Sequence, residues 1–179
     1  MQPKTVKWYQ KPQIIIRAII GGVVLALAWL GWWLVGRYFF YGSSRLHTNL
    51  NQLADHQLIK INLANVQMQV ELVNRPGSIQ LGLSGRDKLG SDGMLFVLPV
   101  RTFHTFWMVD MQFPLDILYF DNNTLVEIME HVPFPAPNTP IANLPLYTCS
   151  RRANIVLELP AGHSKLLNLK VGDKLQLGE

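Results

Sequence analysis

The sequence predicts one N-terminal transmembrane helix followed by a single mainly β domain, a compact β-barrel or sandwich-like fold with short helices. Three observations carry this reading. Ala18–Val35 (AIIGGVVLALAWLGWWLV) is an unbroken run of uncharged, mostly apolar residues. From Leu58 onward, apolar residues recur at every second position, the period of a strand with one buried face. Turn formers such as Asn74-Arg75-Pro76-Gly77, Gly90-Ser91-Asp92-Gly93 and Asp121-Asn122-Asn123 then cut the domain into many short strands.

The charges divide the chain in the same way. A length of 179 residues suits one membrane segment and one modest domain, and the net charge is +4. Lys4, Lys7, Lys11, Arg17 and Arg37 all lie in the first 41 residues, where there is no acidic residue. The eleven basic residues beyond them face all twelve acidic ones, leaving the C-terminal part near −1. A nucleic-acid-binding domain would carry the basic excess itself, so no nucleic acid is expected as a partner. Cys149 is the only cysteine. An internal disulfide or cysteine-based zinc site is therefore excluded, and core packing must hold the domain together.

Residues 1–13 are expected to be a cytoplasmic N-terminus, 14–41 an anchor with its interfacial flank, 42–57 a linker, and 58–179 the extracytoplasmic domain. The apolar run approaches the roughly twenty residues that span a bilayer, and Arg17 can snorkel to the headgroups. Trp8 and Tyr9 before it, and Trp32, Trp33, Tyr38, Phe39, Phe40 and Tyr41 at its far end, match the aromatic belts of membrane interfaces. The basic residues concentrate ahead of it, which predicts a single-pass protein of the cytoplasmic (inner) membrane, N-terminus inside. The lipid bilayer is thus one expected partner. A cleavable signal peptide would have an apolar core of about 7–15 residues ending in small residues. The bulky exit Gly36-Arg37-Tyr38-Phe39-Phe40-Tyr41 favours a retained anchor.

In the linker, Leu46, Leu50 and Leu53 fall at helical spacing after Ser43 and Ser44, predicting a short amphipathic helix. His47 and His56 read as solvated. Ile59, Ile61 and Leu63 mark a first strand; Val66, Met68, Val70 and Leu72 mark a second. Ser78–Leu89 is predicted as a short helix or helical turn. Met94–Leu98 and Leu115–Phe120 are apolar strands flanking a third, His104–Asp110. Leu125–Glu130 is expected to form a hairpin with Leu115–Phe120. Val132–Leu146 carries five prolines and reads as a long lid or binding loop. A strand at Asn154–Leu159, a helical stretch at His163–Leu169 and a last strand at Lys174–Leu177 complete the domain.

GLSGR (Gly82–Arg86), DGMLFVLP (Asp92–Pro99), FWM (Phe106–Met108), PLDILYFD (Pro114–Asp121), VLELPAG (Val156–Gly162) and VGDKLQL (Val171–Leu177) together resemble the domain of unknown function family 192. The resemblance covers about Leu58 to Leu177. It implies a bacterial or archaeal protein, often exported, with a small β-rich fold and short helices, and it implies no reaction. The usual GLMFR of that family stands here as GLSGR, with Ser84 and Gly85 replacing Met and Phe.

The stretch from Gly93 to Phe120 holds the domain's only tryptophan and is the expected place for a site. Arg86, Trp107, Asp110, Asp116 and Glu158 are the candidate ligand-binding residues. Asp116 at the start of an apolar strand can serve as a ligand or base. Equally, it can accept backbone N–H groups or pair with Arg86. Strict alternation sets Glu158 opposite Leu157 and Leu159, on a solvent face; pointing inward, it would converge with Asp116 and Arg86 into an acid–base group. Trp107 should face away from Phe106 and Met108 and offer a stacking surface. His104, Met108 and Met111 are the candidate copper ligands, because thioether and imidazole suit Cu(I); on a straight strand His104 and Met108 would lie too far apart to share an ion. Cys149, beside Arg151 and Arg152, could have a lowered pKa. No P-loop, dinucleotide fingerprint or H-E-x-x-H pattern is present, so no cofactor is expected. The expected function is binding of a small molecule, a glycan or an envelope protein; the alternative is an enzyme using Asp116 and Glu158.

Overall fold

The computed structural model describes Gly31 and residues 45–178. The predicted cytoplasmic segment and, apart from Gly31, the predicted anchor lie outside the described residues. Among the described residues no helix is long and apolar enough to cross a membrane.

A helix, α1, covers residues 45–52. Its apolar spacing works as the sequence suggests: Leu50 is fully buried, and Leu46 and Leu53 pack beside it against the main core. Two strands follow, β1 (Leu58–Leu63) and β2 (Val66–Val73), paired in register as a tight hairpin. The short helix α2 (Pro76–Leu81) starts at a proline, which is favoured in a first turn because no intrahelical partner awaits its missing N–H. It is shorter than the predicted Ser78–Leu89. Then come β3 (Gly93–Thr102), β4 (Thr105–Phe106), β5 (Leu115–Asp121), β6 (Thr124–Val132), β7 (Tyr147–Thr148), β8 (Ala153–Pro160), α3 (His163–Leu166) and β9 (Leu175–Leu177). The β5–β6 hairpin turns through Asn122 at φ 57°, a conformation asparagine tolerates better than most residues.

Seven strands form one mixed sheet in the order β6-β5-β8-β3-β2-β1-β9, with β4 and β7 as a separate two-stranded piece. Only β2 and β3 run parallel, joined by a crossover through α2. The sheet curls until its two edges meet at one end. Leu125 N–H donates to the Asp173 carbonyl (2.9 Å), Gly172 N–H to the Leu125 carbonyl (2.8 Å) and Leu175 N–H to the Asn123 carbonyl (2.8 Å). The result is a curled half-barrel, a more specific architecture than the barrel or sandwich the sequence predicts.

Alternation along each strand sorts the apolar residues into two cores. Ile59, Ile61, Val70, Leu95, Leu118, Phe120, Ile155 and Leu157 fill the inside of the curl, with Leu50 among them. Met94, Phe96, Ile117, Tyr119 and Val156 point to the other face, where Leu83, Met108, Met111 and Cys149 cover them. Strands β3, β5 and β8 are therefore buried on both faces, which explains their nearly continuous apolar sequences.

Gly93 marks how tightly these layers close. A Cβ there would lie 2.7 Å from the Glu158 carbonyl oxygen and 2.8 Å from Leu159 Cδ2. Neither the backbone nor a packed leucine can move aside cheaply. Gly93→Ala should destabilise the domain by about 1–3 kcal/mol, measured by urea unfolding of Ser43–Glu179; an unchanged midpoint would contradict the packing described.

A candidate ligand pocket floored by Glu158

The segment after β3 does not continue as the predicted strand from His104 to Asp110. It pairs only at Thr105–Phe106, against Tyr147–Thr148 of β7, a short strand the sequence did not suggest. The chain then turns through Val109 and Asp110, where Asp110 adopts φ 52°. Two contacts latch this turn to the loop after α2. Ser84 Oγ donates to the Val109 carbonyl (2.8 Å), and Gly85 N–H donates to the Asp110 carbonyl (2.9 Å). Gly85 sits at φ +74°, where a residue with a Cβ would be strained. The two residues that depart from the GLMFR pattern thus hold the Trp107 loop in place.

That loop roofs the outer face of the sheet. Met108 and Met111 turn inward and are buried, while Trp107 stays 45% exposed. Phe106 stands edge-on to Phe96 (centroids 5.5 Å apart, 88°) and to Tyr119 (5.8 Å, 82°), a geometry that suits the quadrupoles of aromatic rings. Tyr119 O–H donates to the Tyr147 carbonyl (3.1 Å).

Between roof and sheet lies a cavity of about 280 Å³, lined by Leu83, Phe106, Trp107, Met108, Met111 and Glu158 among others. Glu158 is only 6% exposed. It does lie on the face opposite Leu157 and Leu159, but that face is covered rather than solvated. Among the described residues its carboxyl makes no hydrogen bond and no ion pair. Burial without a compensating partner pushes its pKa up to about 8. At neutral pH the group is mostly a neutral acid, able both to donate and to accept one hydrogen bond.

Asp116 has the opposite fate. It is fully buried on β5, yet Oδ1 accepts from His131 N–H (2.8 Å) and Gly162 N–H (3.0 Å), and Oδ2 from Ser164 N–H (2.9 Å) and Ser164 Oγ (2.6 Å). Burial alone would raise its pKa, but the Ser164 hydroxyl and the three backbone N–H groups outweigh it and hold the carboxyl below its ordinary value. Asp116 is a clamp joining β5, the end of β6 and the start of α3.

Arg86 pairs neither with Asp116 nor with Glu158. Its guanidinium forks onto Glu71 (2.6 and 2.9 Å), whose Oε1 also meets His56 Nδ1 at 2.7 Å. The convergence of Asp116, Glu158 and Arg86 is therefore not formed. His56 is hydrogen-bonded to Glu71 rather than merely solvated, and His47 Nε2 bonds the Leu98 carbonyl at 2.8 Å. Asp110 is exposed and, with the proline-rich loop, lines a separate groove that also includes Gly85 and Phe134. Trp107 and the proline-rich loop thus line different cavities.

His104, Met108 and Met111 do line one cavity, because the chain turns instead of running straight. His104 Nε2 is already bonded to the Val100 carbonyl at 2.7 Å. Among the described residues no group of three His, Cys, Asp or Glu side chains is placed to hold a metal ion. Cys149 is buried, and burial pushes its thiol up to about 12 despite Arg151 nearby; its Sγ donates to Glu127 Oε2 at 3.2 Å. The lowered pKa suggested by the adjacent arginines is not realised.

A curled, mostly antiparallel half-barrel with short helices and a pocket on its outer face defines the class of domain. The chain belongs to the domain of unknown function family 192, whose profile (DUF192, Uncharacterized ACR) matches residues 58–177. It is similar to a crystal structure from Sinorhizobium meliloti 1021 described as a candidate transcription regulator, with 26% identity and a TM-score of 0.60 over 70% of this chain and 97% of that one. It also shares its fold with a protein of unknown function from Novosphingobium aromaticivorans DSM 12444, at 23% identity and a TM-score of 0.59, covering 70% of this chain and 89% of that one. No curated protein matches it.

The unpaired acid has a consequence for stability. Unfolded, Glu158 titrates near the usual glutamate value of about 4.3; folded, it titrates near 8. Between those values the folded state keeps a proton that the unfolded state has lost. Stability therefore falls as pH rises through this window, by up to about 1.4 kcal/mol per unit, and levels off above the folded value. Glu158→Gln removes this dependence. In urea unfolding, the variant should gain on the wild type by about 3 kcal/mol between pH 5 and pH 8; a difference independent of pH would contradict the assignment.

Proposed function

We propose that this domain is a small-ligand-binding module, with the cavity over Glu158 as its site, held at the outer face of the cytoplasmic membrane by the apolar segment within residues 14–41. One observation carries the reading: a carboxyl with no partner among the described residues forms the floor of a cavity whose walls are more apolar than polar. Burying such a group without a hydrogen bond costs folding free energy. A ligand that completes the bond recovers it. Concave, mostly apolar walls with a few polar groups are the usual form of a ligand site, and this one stands at the small end of the range. Half-exposed Trp107 at the cavity supplies a surface for stacking.

The acid–base alternative has less support, because both oxygens of Asp116 already accept two hydrogen bonds each. A general base must reach the proton it removes.

Ser43–Glu179 forms a compact unit of its own and suits a thermal-shift screen against sugars, nucleotides, amines, metal ions and peptides. A specific ligand at a hundredfold excess over its Kd should stabilise the unit by about 2.7 kcal/mol. The shift should disappear in Trp107→Ala while the unliganded melting curve stays cooperative. No shift with any class, or a shift indifferent to Trp107→Ala, would contradict this site.

A further inference from the structure

We infer that the pocket takes an organic cation: a primary ammonium on a short apolar or aromatic body, the nitrogen meeting Glu158 and the body packing against Phe106 and Trp107. This rests on the reading of the cavity as a ligand site and adds the class of ligand.

Charge selects the cation. Among the described residues, Glu158 is the only carboxyl lining the cavity, and no lysine or arginine lines it. An anionic ligand would find no countercharge and would face a carboxyl that resists ionising. A neutral ligand could donate to the acid and accept from it but would gain no charge pairing. An ammonium can satisfy both carboxylate oxygens, and aromatic rings favour a cation placed beside them.

The other titratable groups near the floor leave this role open. His104, between β3 and β4, is held by the Val100 carbonyl. Tyr119 on the neighbouring β5 spends its hydroxyl on the Tyr147 carbonyl, and Cys149 beyond β7 spends its thiol on Glu127. Facing Glu158 across the β3 register is Met94, and across the β5 register Ile117. No lysine or arginine is among them. A bare metal ion fits less well, since the cavity of about 280 Å³ far exceeds one ion.

The proton balance follows. Below about pH 8 the empty site holds Glu158 as the acid. When R–NH3+ enters, Glu158 gives its proton to solvent and the carboxylate pairs with the ammonium. One proton is released per ligand bound, and the charge is conserved.

Isothermal titration of Ser43–Glu179 with phenethylamine, 2-phenylethanol and phenylacetate tests this. At pH 7, phenethylamine should bind with release of close to one proton, read from the dependence of heat on buffer ionisation. Its affinity should rise by up to about tenfold per pH unit between 6 and 8. Phenylacetate should not bind. Glu158→Gln should weaken phenethylamine by at least about 30-fold and abolish proton release. If 2-phenylethanol or phenylacetate binds as tightly as the amine, the cation is wrong and the ligand site stands. If none of the three binds, the inference and the ligand-site reading both fall.

Discussion

Strand β8 is packed on both faces along its whole length, and the rest of the domain depends on that. One face joins the inside of the curled sheet through Ile155, Leu157 and Leu159. The other needs a cover, which the sheet itself cannot provide because it curls away. The cover comes from α2, the β4–β7 ribbon and the Trp107 loop, latched by Ser84 and Gly85. Because β3 and β5 flank β8 with the same two-sided burial, these three strands form the rigid middle of the molecule. That cover leaves a cavity above Glu158.

Two acidic residues on adjacent strands show what local partners decide. Asp116 and Glu158 sit one step apart in the β5–β8 register, where Asp116 faces Leu159 and Ile117 faces Glu158. Both are buried. Asp116 points to the ends of β6 and α3, where backbone N–H groups and Ser164 surround it, so it stays ionised and structural. Glu158 points into the covered face and meets methionine, leucine and aromatic side chains. With no donor to stabilise its charge, it keeps its proton. The same residue chemistry is fastened in one place and poised in the other.

Most of the strand layout was legible because it depends on local alternation. Ile59-Ile61-Leu63 and Met68-Val70-Leu72 announce half-buried strands, and Asp121-Asn122-Asn123 announces its hairpin. The linker helix followed from three leucines alone. What escaped depends on contacts distant in sequence. Nothing local tells Arg86 to choose Glu71 over Asp116, or marks Tyr147–Thr148 as the partner of Thr105–Phe106. The HTFWMVD segment has strand-like alternation, yet tertiary latching bends it after two residues, and Phe106, Trp107 and Met108 come to line one cavity. For Glu158, alternation gave the correct face, but the residues that turn that face from solvent into pocket come largely from α2, the loop after it and the Trp107 loop, far earlier in the chain.

The state of one carboxyl is the centre of this account, and it can be observed directly. Carbon-13 labelling of glutamate in Ser43–Glu179, with the Glu158 Cδ resonance assigned through Glu158→Gln, allows its titration to be followed by NMR. Glu158 should be protonated at pH 6 and ionise with a midpoint near 8. A Glu158 carboxylate already ionised at pH 6 would mean that the cavity floor is solvated or paired, and would contradict the site described here.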